Sequence, residues 1–556
     1  MDRRAFLGSS TAAAAGLLIG GRGETSAAAA QTTTGRNFPL PIVETTAGRI
    51  RGSIVNHITV FRGVPYAAST AGANRFLPPQ KLEPWSRVRD ALNIGPRAPQ
   101  VNTARVPEFA VMDRWEPQSE DCLNLNVWTP ADDGARRPVL VWLHGGSFNS
   151  GSAGYTLYDG ANLARKHDVV VVGVNHRLNL FGFLYLGEIG GERYASSNVG
   201  MLDIVAGLEW VRDNIERFGG DPKNVTVFGQ ASGGDKVSTL FGMPAARGLF
   251  QRAVAMSGSK VRGIPRDQAT RTAELLLSRL GIRSNQLDEL HRIPMRRLRD
   301  QIRDEGTAAD GAGRLTYGPV VDGRTIPAHM FDPVASDILA DVPLMIGSTE
   351  TEMTWNTAQI YDPLSDAELQ EDVMRALRTD AEGAEKVIGV YRKNRPKASN
   401  LDLYLIAVSD ASVFRTGTDL EADRKAAQRR APVFKYYFQW YSPVRGGMLR
   451  AMHTMDVPFA FYNQDVAVSE VGTGPQQQMM AERHSAALVA FARTGNPSTK
   501  LAPSWPPYDT AKRPTMVMNN EWRVVDNPYA EEKAVVAAVS NRVTAPGRRG
   551  NASTTQ

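Results

Sequence analysis

A single cysteine, Cys122, stands in a chain of 556 residues, so no intramolecular disulfide can hold the fold together. Zinc or iron–sulfur sites built on several thiolates are excluded for the same reason. The eight histidines contain no H-E-x-x-H spacing, and the sequence implies no metal and no cofactor. Nowhere does an apolar run reach the eighteen or so residues of a spanning helix, so no membrane span is expected. Basic residues outnumber acidic ones by only 64 to 58, and they are scattered rather than gathered into a stripe. That distribution argues against nucleic acid as a partner.

What is present is 42% hydrophobic content, enough for a large core without covalent ties. The N-terminus has the parts of a targeting segment in order: Arg3-Arg4-Ala5-Phe6-Leu7, a mildly apolar stretch over 11–20, and small residues from Ala27 to Ala30 before Gln31. Residues 1–30 are therefore expected to be a twin-arginine signal peptide, which predicts a periplasmic or secreted mature chain. Residues 31–543 read as one domain. Residues 544–556, with Pro546-Gly547-Arg548-Arg549-Gly550, read as a disordered tail. Nothing in the sequence specifies an oligomeric state.

Strand-length apolar runs recur at 123–128, 139–143, 169–174 and 225–228, after short glycine-broken strands near 45–52 and 58–61. Between the last two runs, Leu202, Val205, Leu208, Val211 and Ile215 keep helical spacing up to Gly219-Gly220. Buried strands alternating with amphipathic helices predict an α/β fold, a large mostly parallel sheet with helices on both faces and a small antiparallel sheet at the start. Further helices are expected over 268–280, 288–305, 366–378, 384–393, 401–414 and 478–494. Strands are expected at 344–347 and 433–438.

Three loops can carry chemistry. Val225-Thr226-Val227-Phe228 leads into Gly229-Gln230-Ala231-Ser232-Gly233-Gly234 and then a helix-prone segment. Strand, sharp turn and helix is the setting of the G-x-S-x-G nucleophile elbow, but the nucleophile slot holds Ala231, and the serine comes one place late at Ser232. The spacing Ser232-x-x-Asp235 is that of a capping box, which predicts Ser232 as a helix cap. His144-Gly145-Gly146-Ser147-Phe148 follows another strand, and its small residues allow backbone N–H groups to converge as an oxyanion hole; a plain tight turn would look the same. In Gly347-Ser348-Thr349-Glu350-Thr351-Glu352, one carboxylate is expected to be solvated and the other to orient a histidine. His453 sits among apolar residues in Met452-His453-Thr454-Met455, as a structural or a catalytic imidazole. The order elbow, acid, histidine is that of α/β-hydrolases.

With these in place the chain resembles the type-B carboxylesterase/lipase family, which includes cholinesterases and para-nitrobenzyl esterases. The resemblance spans 43–528. It is carried by Phe61-Arg62-Gly63-Val64-Pro65-Tyr66-Ala67, Ser119-Glu120-Asp121-Cys122-Leu123-Asn124-Leu125-Asn126-Val127, Phe218-Gly219-Gly220-Asp221-Pro222-Lys223-Asn224-Val225-Thr226 and Met256-Ser257-Gly258-Ser259. It implies an α/β-hydrolase fold, Glu352 as triad acid, His453 as base, and oxyanion donors at Gly146, Ser147 and Ser232. Ser257 corresponds to a secondary serine near the triad. The nucleophile position falls on Ala231, the third glycine of HGGG is Ser147, and Asp235 replaces a small residue. Ala98 replaces the usual partner of Cys122.

Three readings follow for a small-molecule ester or carbonyl substrate lodged among Phe148, Trp355, Phe459 and Ser257. In the first the chain is an ester hydrolase in which Ser232, as a displaced nucleophile, or an activated water replaces the missing hydroxyl. In the second, His453 serves as general base in elimination, isomerisation or cyclisation. In the third the chain is a catalytically inactive binding protein.

Overall fold

The computed structural model describes residues 40–101, 116–302, 315–354 and 363–544. The expected leader, residues 545–556 of the expected tail and Trp355 lie outside them, whereas Thr544 belongs to the helix Ala530–Thr544.

Strands β1 (Ile42–Glu44), β2 (Arg49–Arg51), β3 (Ser53–Val55), β4 (Ile58–Pro65) and β5 (Arg89–Asp90) come first. The small sheet is β1-β2-β5, antiparallel between β1 and β2 but parallel between β2 and β5, so it is mixed rather than purely antiparallel. The hairpin β3–β4 belongs instead to the edge of the large sheet. That sheet continues with β6 (Asn124–Thr129), β7 (Arg137–Leu143), β8 (Val170–Val174), β9 (Gly220–Gln230) and β10 (Arg252–Met256). It closes with β11 (Leu344–Thr349), β12 (Val433–Phe438), β13 (Pro514–Met518) and β14 (Arg523–Asp526). The spatial order of the eleven strands is β14-β13-β12-β11-β10-β9-β7-β8-β6-β4-β3. All neighbours from β8 to β13 are parallel, and antiparallel pairing is confined to the two edges.

The continuous apolar runs of the central strands serve two cores at once. Along β7, Val139, Val141 and Leu143 enter one buried cluster, while Leu140 and Trp142 enter another. Along β8, Val170, Val172 and Val174 join the first and Val171 the second. This is the two-residue period of a strand with both faces covered. Trp142 anchors the second cluster, with Tyr158, Phe228 and Phe461 rings at 4.8, 4.8 and 4.9 Å. Truncating it to alanine is expected to cost about 3–5 kcal/mol.

The crossover helix Val199–Asn214 forms as its spacing requires and tightens into a 3-10 turn that stops at Gly219, whose φ is 77°. Two expected helices are broken. The segment 288–305 holds separate turns at Glu289–Arg292 and Met295–Arg299, because Pro294 supplies no N–H to continue the first. The segment 401–414 is interrupted where the backbone becomes extended at Ser412, giving helices Asn400–Asp410 and Val413–Ala427. Cys122 is buried and unpaired. Among the described residues no helix is long and apolar enough to cross a membrane, and no cluster of His, Cys, Asp and Glu has a metal-binding arrangement.

Candidate active site

The elbow stands at the carboxyl end of β9. Ala231 has φ 55° and ψ −128°, and the helix Ser232–Leu240 starts immediately after it. Its N–H donates to Met256 O at 2.9 Å, and its carbonyl accepts from Asp235 N at 3.0 Å. A non-glycine residue at such a φ costs roughly 1–3 kcal/mol, which the surroundings must outweigh. They leave room only because two neighbours lack side chains: a Cβ on Gly258 would lie 1.9 Å from Ala231 O, and one on Gly233 would lie 2.0 Å from Leu143 O. The strained turn that presents a nucleophile is therefore built, with a methyl group at its apex.

The acid and the histidine are brought abreast by backbone pairing. Beyond β11, Thr351 forms an isolated parallel bridge with Met452, which sets Glu352 beside His453. His453 Nδ1 lies 2.5 Å from Glu352 Oε2. The other carboxylate oxygen accepts from Ser257 Oγ and from Thr349 N, each at 2.7 Å. Burial pushes the Glu352 carboxyl up, but the His453 imidazole and these hydrogen bonds outweigh it and hold the group below the ordinary carboxylate value. Neither loop carboxylate is solvated, contrary to the sequence reading. Glu350 is also buried, ion-paired with Arg395 at 2.6 Å and accepting from Gln439 Nε2 at 2.7 Å.

With a carboxylate on Nδ1, that nitrogen carries the proton and Nε2 presents its lone pair. In place of a serine hydroxyl, the amide nitrogen of Gln230 sits 3.0 Å from it and donates. The ring of Phe414, at 4.4 Å between centroids, flanks the imidazole.

The His144–Phe148 turn has three successive residues at positive φ: Gly146 at 107°, Ser147 at 55° and Phe148 at 59°. The N–H groups of Gly146, Ser147 and Ser232 find no acceptor among the described residues, as donors reserved for a ligand oxygen would. Ser147 is exposed and does not fill the space under the turn.

Ser232 is neither a displaced nucleophile in contact with the base nor a helix cap. Its Oγ accepts from Phe148 N at 3.3 Å, and no hydrogen bond joins it to His453 among the described residues. The cap position is Ala231, without a side-chain cap bond, because the elbow starts the helix one residue earlier than a capping box would. The expected substrate residues also separate. Phe148 is the last residue of the turn itself and is buried, its ring edge-to-face on Phe183 at 5.1 Å. Phe459 is a core residue with no exposed surface, packed between Phe438 and Trp440 behind the sheet, and so cannot line a pocket. Ser257 is fully buried and holds Glu352 rather than a substrate.

Two polar side chains near the elbow escaped the sequence reading. Lys236 is fully buried, and its Nζ donates to His144 O at 2.7 Å. Burial brings its amine down to about 7 against the opposing influence of Asp235. Gln230 is the other; its place just before the turn was the available signal. Asp235 itself, on the first turn of the helix, is pushed up by burial, with Lys260 the main opposing charge.

The pattern of the carboxylesterase family is met across residues 39–536. The para-nitrobenzyl esterase of Bacillus subtilis (strain 168) is 36% identical over 501 residues, which cover 88% of this chain and 97% of that enzyme. The phenmedipham hydrolase of Pseudarthrobacter oxydans is 32% identical over 502 residues, covering 86% and 95%. Among solved structures, a Geobacillus stearothermophilus carboxylesterase superimposes with a TM-score of 0.75 at 36% identity, over 89% of this chain and 99% of that one.

Proposed function

Because this chain belongs to the carboxylesterase family, we propose that it hydrolyses carboxylic esters by direct attack of water, with His453 as general base and no acyl-enzyme. The observation that carries this reading is the 2.5 Å pairing of His453 Nδ1 with Glu352, beside an elbow whose apex is a methyl group.

The steps use groups already in place. The ester carbonyl oxygen accepts hydrogen bonds from the N–H groups of Gly146, Ser147 and Ser232. His453 Nε2 takes a proton from a water as its oxygen bonds to the carbonyl carbon, and Glu352 stabilises the imidazolium. Collapse of the tetrahedral oxyanion breaks the bond to the alcohol oxygen, which receives the proton from Nε2. In a serine protease, oxyanion stabilisation and binding leave about 10³–10⁴ over water when the nucleophile is lost. Activated esters are accordingly the substrates of choice.

The test is hydrolysis of a p-nitrophenyl ester, followed by exposure to a fluorophosphonate and intact-mass measurement. Turnover with an unmodified mass supports water attack; an adduct on Ser232 contradicts it.

A second reading is favoured by the same pairing of His453 with Glu352 beside N–H donors that find no acceptor among the described residues. An imidazole base facing an N–H cradle that can stabilise an enolate suits proton abstraction next to a carbonyl. Deuterium uptake at the α-carbon of a ketone or ester in D₂O, without hydrolysis, would select it. The twin-arginine leader supports export, which processing before Gln31 in an exporting host would test.

A further inference from the structure

Both ends of the His144–Phe148 turn are held by one face of the elbow helix. At one end Ser232 Oγ accepts from Phe148 N at 3.3 Å; at the other Lys236 Nζ donates to His144 O at 2.7 Å. The two residues are four apart on the helix, so their side chains lie one above the other against the turn. Lys236 Nζ also lies 5.5 Å from the centroid of the Phe148 ring, within reach of a cation–π contact.

The arrangement is costly on both sides. Ser147 and Phe148 are non-glycine residues in the left-handed region, a conformation that persists only when surrounding contacts over-determine it. Lys236 has no exposed surface, and among the described residues its one hydrogen bond is to the His144 carbonyl. A methionine would fill the same volume without the desolvation of an amine. Asp235 on the same helix and the stacked, buried His144 and His176 rings, 4.9 Å apart, are the titratable groups that feel it.

We infer that Ser232 and Lys236 are positioning residues, a two-point clamp that aims the N–H groups of Gly146 and Ser147 at the substrate oxygen. A clamp suits an enzyme without a covalent nucleophile. With no acyl bond to hold the substrate, the geometry of the oxyanion donors must be set in advance. The inference deepens the hydrolytic reading and rests on it for the kinetic effect, but the restraint on the turn is a separate physical claim.

The experiment compares Lys236→Met and Ser232→Ala with the parent by hydrogen exchange of the peptide spanning 144–151 and by p-nitrophenyl ester kinetics. Expected is faster exchange at Phe148, Asn149 and Ser150 in both variants, whose N–H groups are all bonded within the clamped turn. Expected too is a kcat lower by about 10²-fold for Lys236→Met, the scale of a misplacement near 1 Å, with KM nearly unchanged. Unchanged exchange in both variants overturns the clamp whatever the rates. Faster exchange with unchanged kcat overturns its positioning role. Should the parent hydrolyse no ester, the hydrolytic reading fails and the exchange comparison alone decides the restraint. Should Lys236→Met not fold, Ser232→Ala decides by the same two readouts.

Discussion

The amide nitrogen of Gln230 lies 3.0 Å from His453 Nε2, at the lone pair that a general base must use. Without a hydroxyl at position 231, this carboxamide is the resting partner of the imidazole, and water has to displace it. Gln230→Ala is expected to raise kcat about fivefold, the worth of a neutral hydrogen bond near 1 kcal/mol. Steady-state kinetics on a p-nitrophenyl ester check this; a fall in kcat would mean that the carboxamide instead steers the water.

Ala231 already has the backbone of a nucleophile elbow, so the strain is in place and only the oxygen is missing. Ala231→Ser is expected to raise esterase turnover by several orders of magnitude, toward the roughly 10⁶-fold that loss of the nucleophile costs in a serine protease. Fluorophosphonate labelling should appear at residue 231 in this variant. Absence of both gain and label would show that the pocket no longer presents a carbonyl to the elbow.

The Glu352 carboxylate fixes the His453 tautomer and faces the charge that forms on the ring. Glu352→Gln preserves shape but not charge, and should lower kcat by about 10²-fold, no more than the loss expected on removing the imidazole itself. Ser257→Ala removes only one of the hydrogen bonds that hold Glu352 and should cost roughly tenfold. Equal effects of the two substitutions would argue that the acid serves only as packing.

Asp456 gives the fold a pH signature distinct from catalysis. Its carboxylate accepts from Tyr436 Oη at 2.7 Å on one oxygen, while the other is buried with no hydrogen-bond partner among the described residues. Burial, helped by the charge of Glu352, pushes the group from 3.8 up to about 7. An acid raised in the folded state stabilises the fold fully below its unfolded value and loses that contribution as pH rises through its folded value. Asp456→Asn should therefore match the parent near pH 4 and exceed its Tm by several degrees near pH 8. Thermal melts across that range check the sign; a gap that narrows as pH rises contradicts it.

The central strands, the crossover helix and the three site loops were legible because each rests on local chemistry: apolar runs between glycines, helical spacing ending at Gly219, small residues at the turns. The order of elbow, acid loop and histidine, with the family resemblance choosing Glu352, placed Ala231, Glu352 and His453 together, where the structure has them. What escaped was set by register. The Thr351–Met452 bridge sets Glu352 rather than Glu350 against the imidazole, a choice the loop's own residues left open and only the family resemblance made. Phe459 was read as a pocket residue from closeness in sequence to His453, but the short helix Val457–Ala460 turns it into the core. Lys236 was visible four residues after Ser232, and the i, i+4 rule would have put both on one face. The one-residue shift in the helix start, which makes Ser232 part of the clamp rather than a cap, follows from the φ of Ala231 and is invisible to spacing.

The most direct measurement is the rate of p-nitrophenyl ester hydrolysis by the parent against His453→Ala, each monitored for covalent modification by intact mass. General-base attack by water predicts a fall of about 10²–10⁴-fold with no acyl adduct on either protein. An unchanged rate, or an acyl group on a serine of the parent, would contradict it.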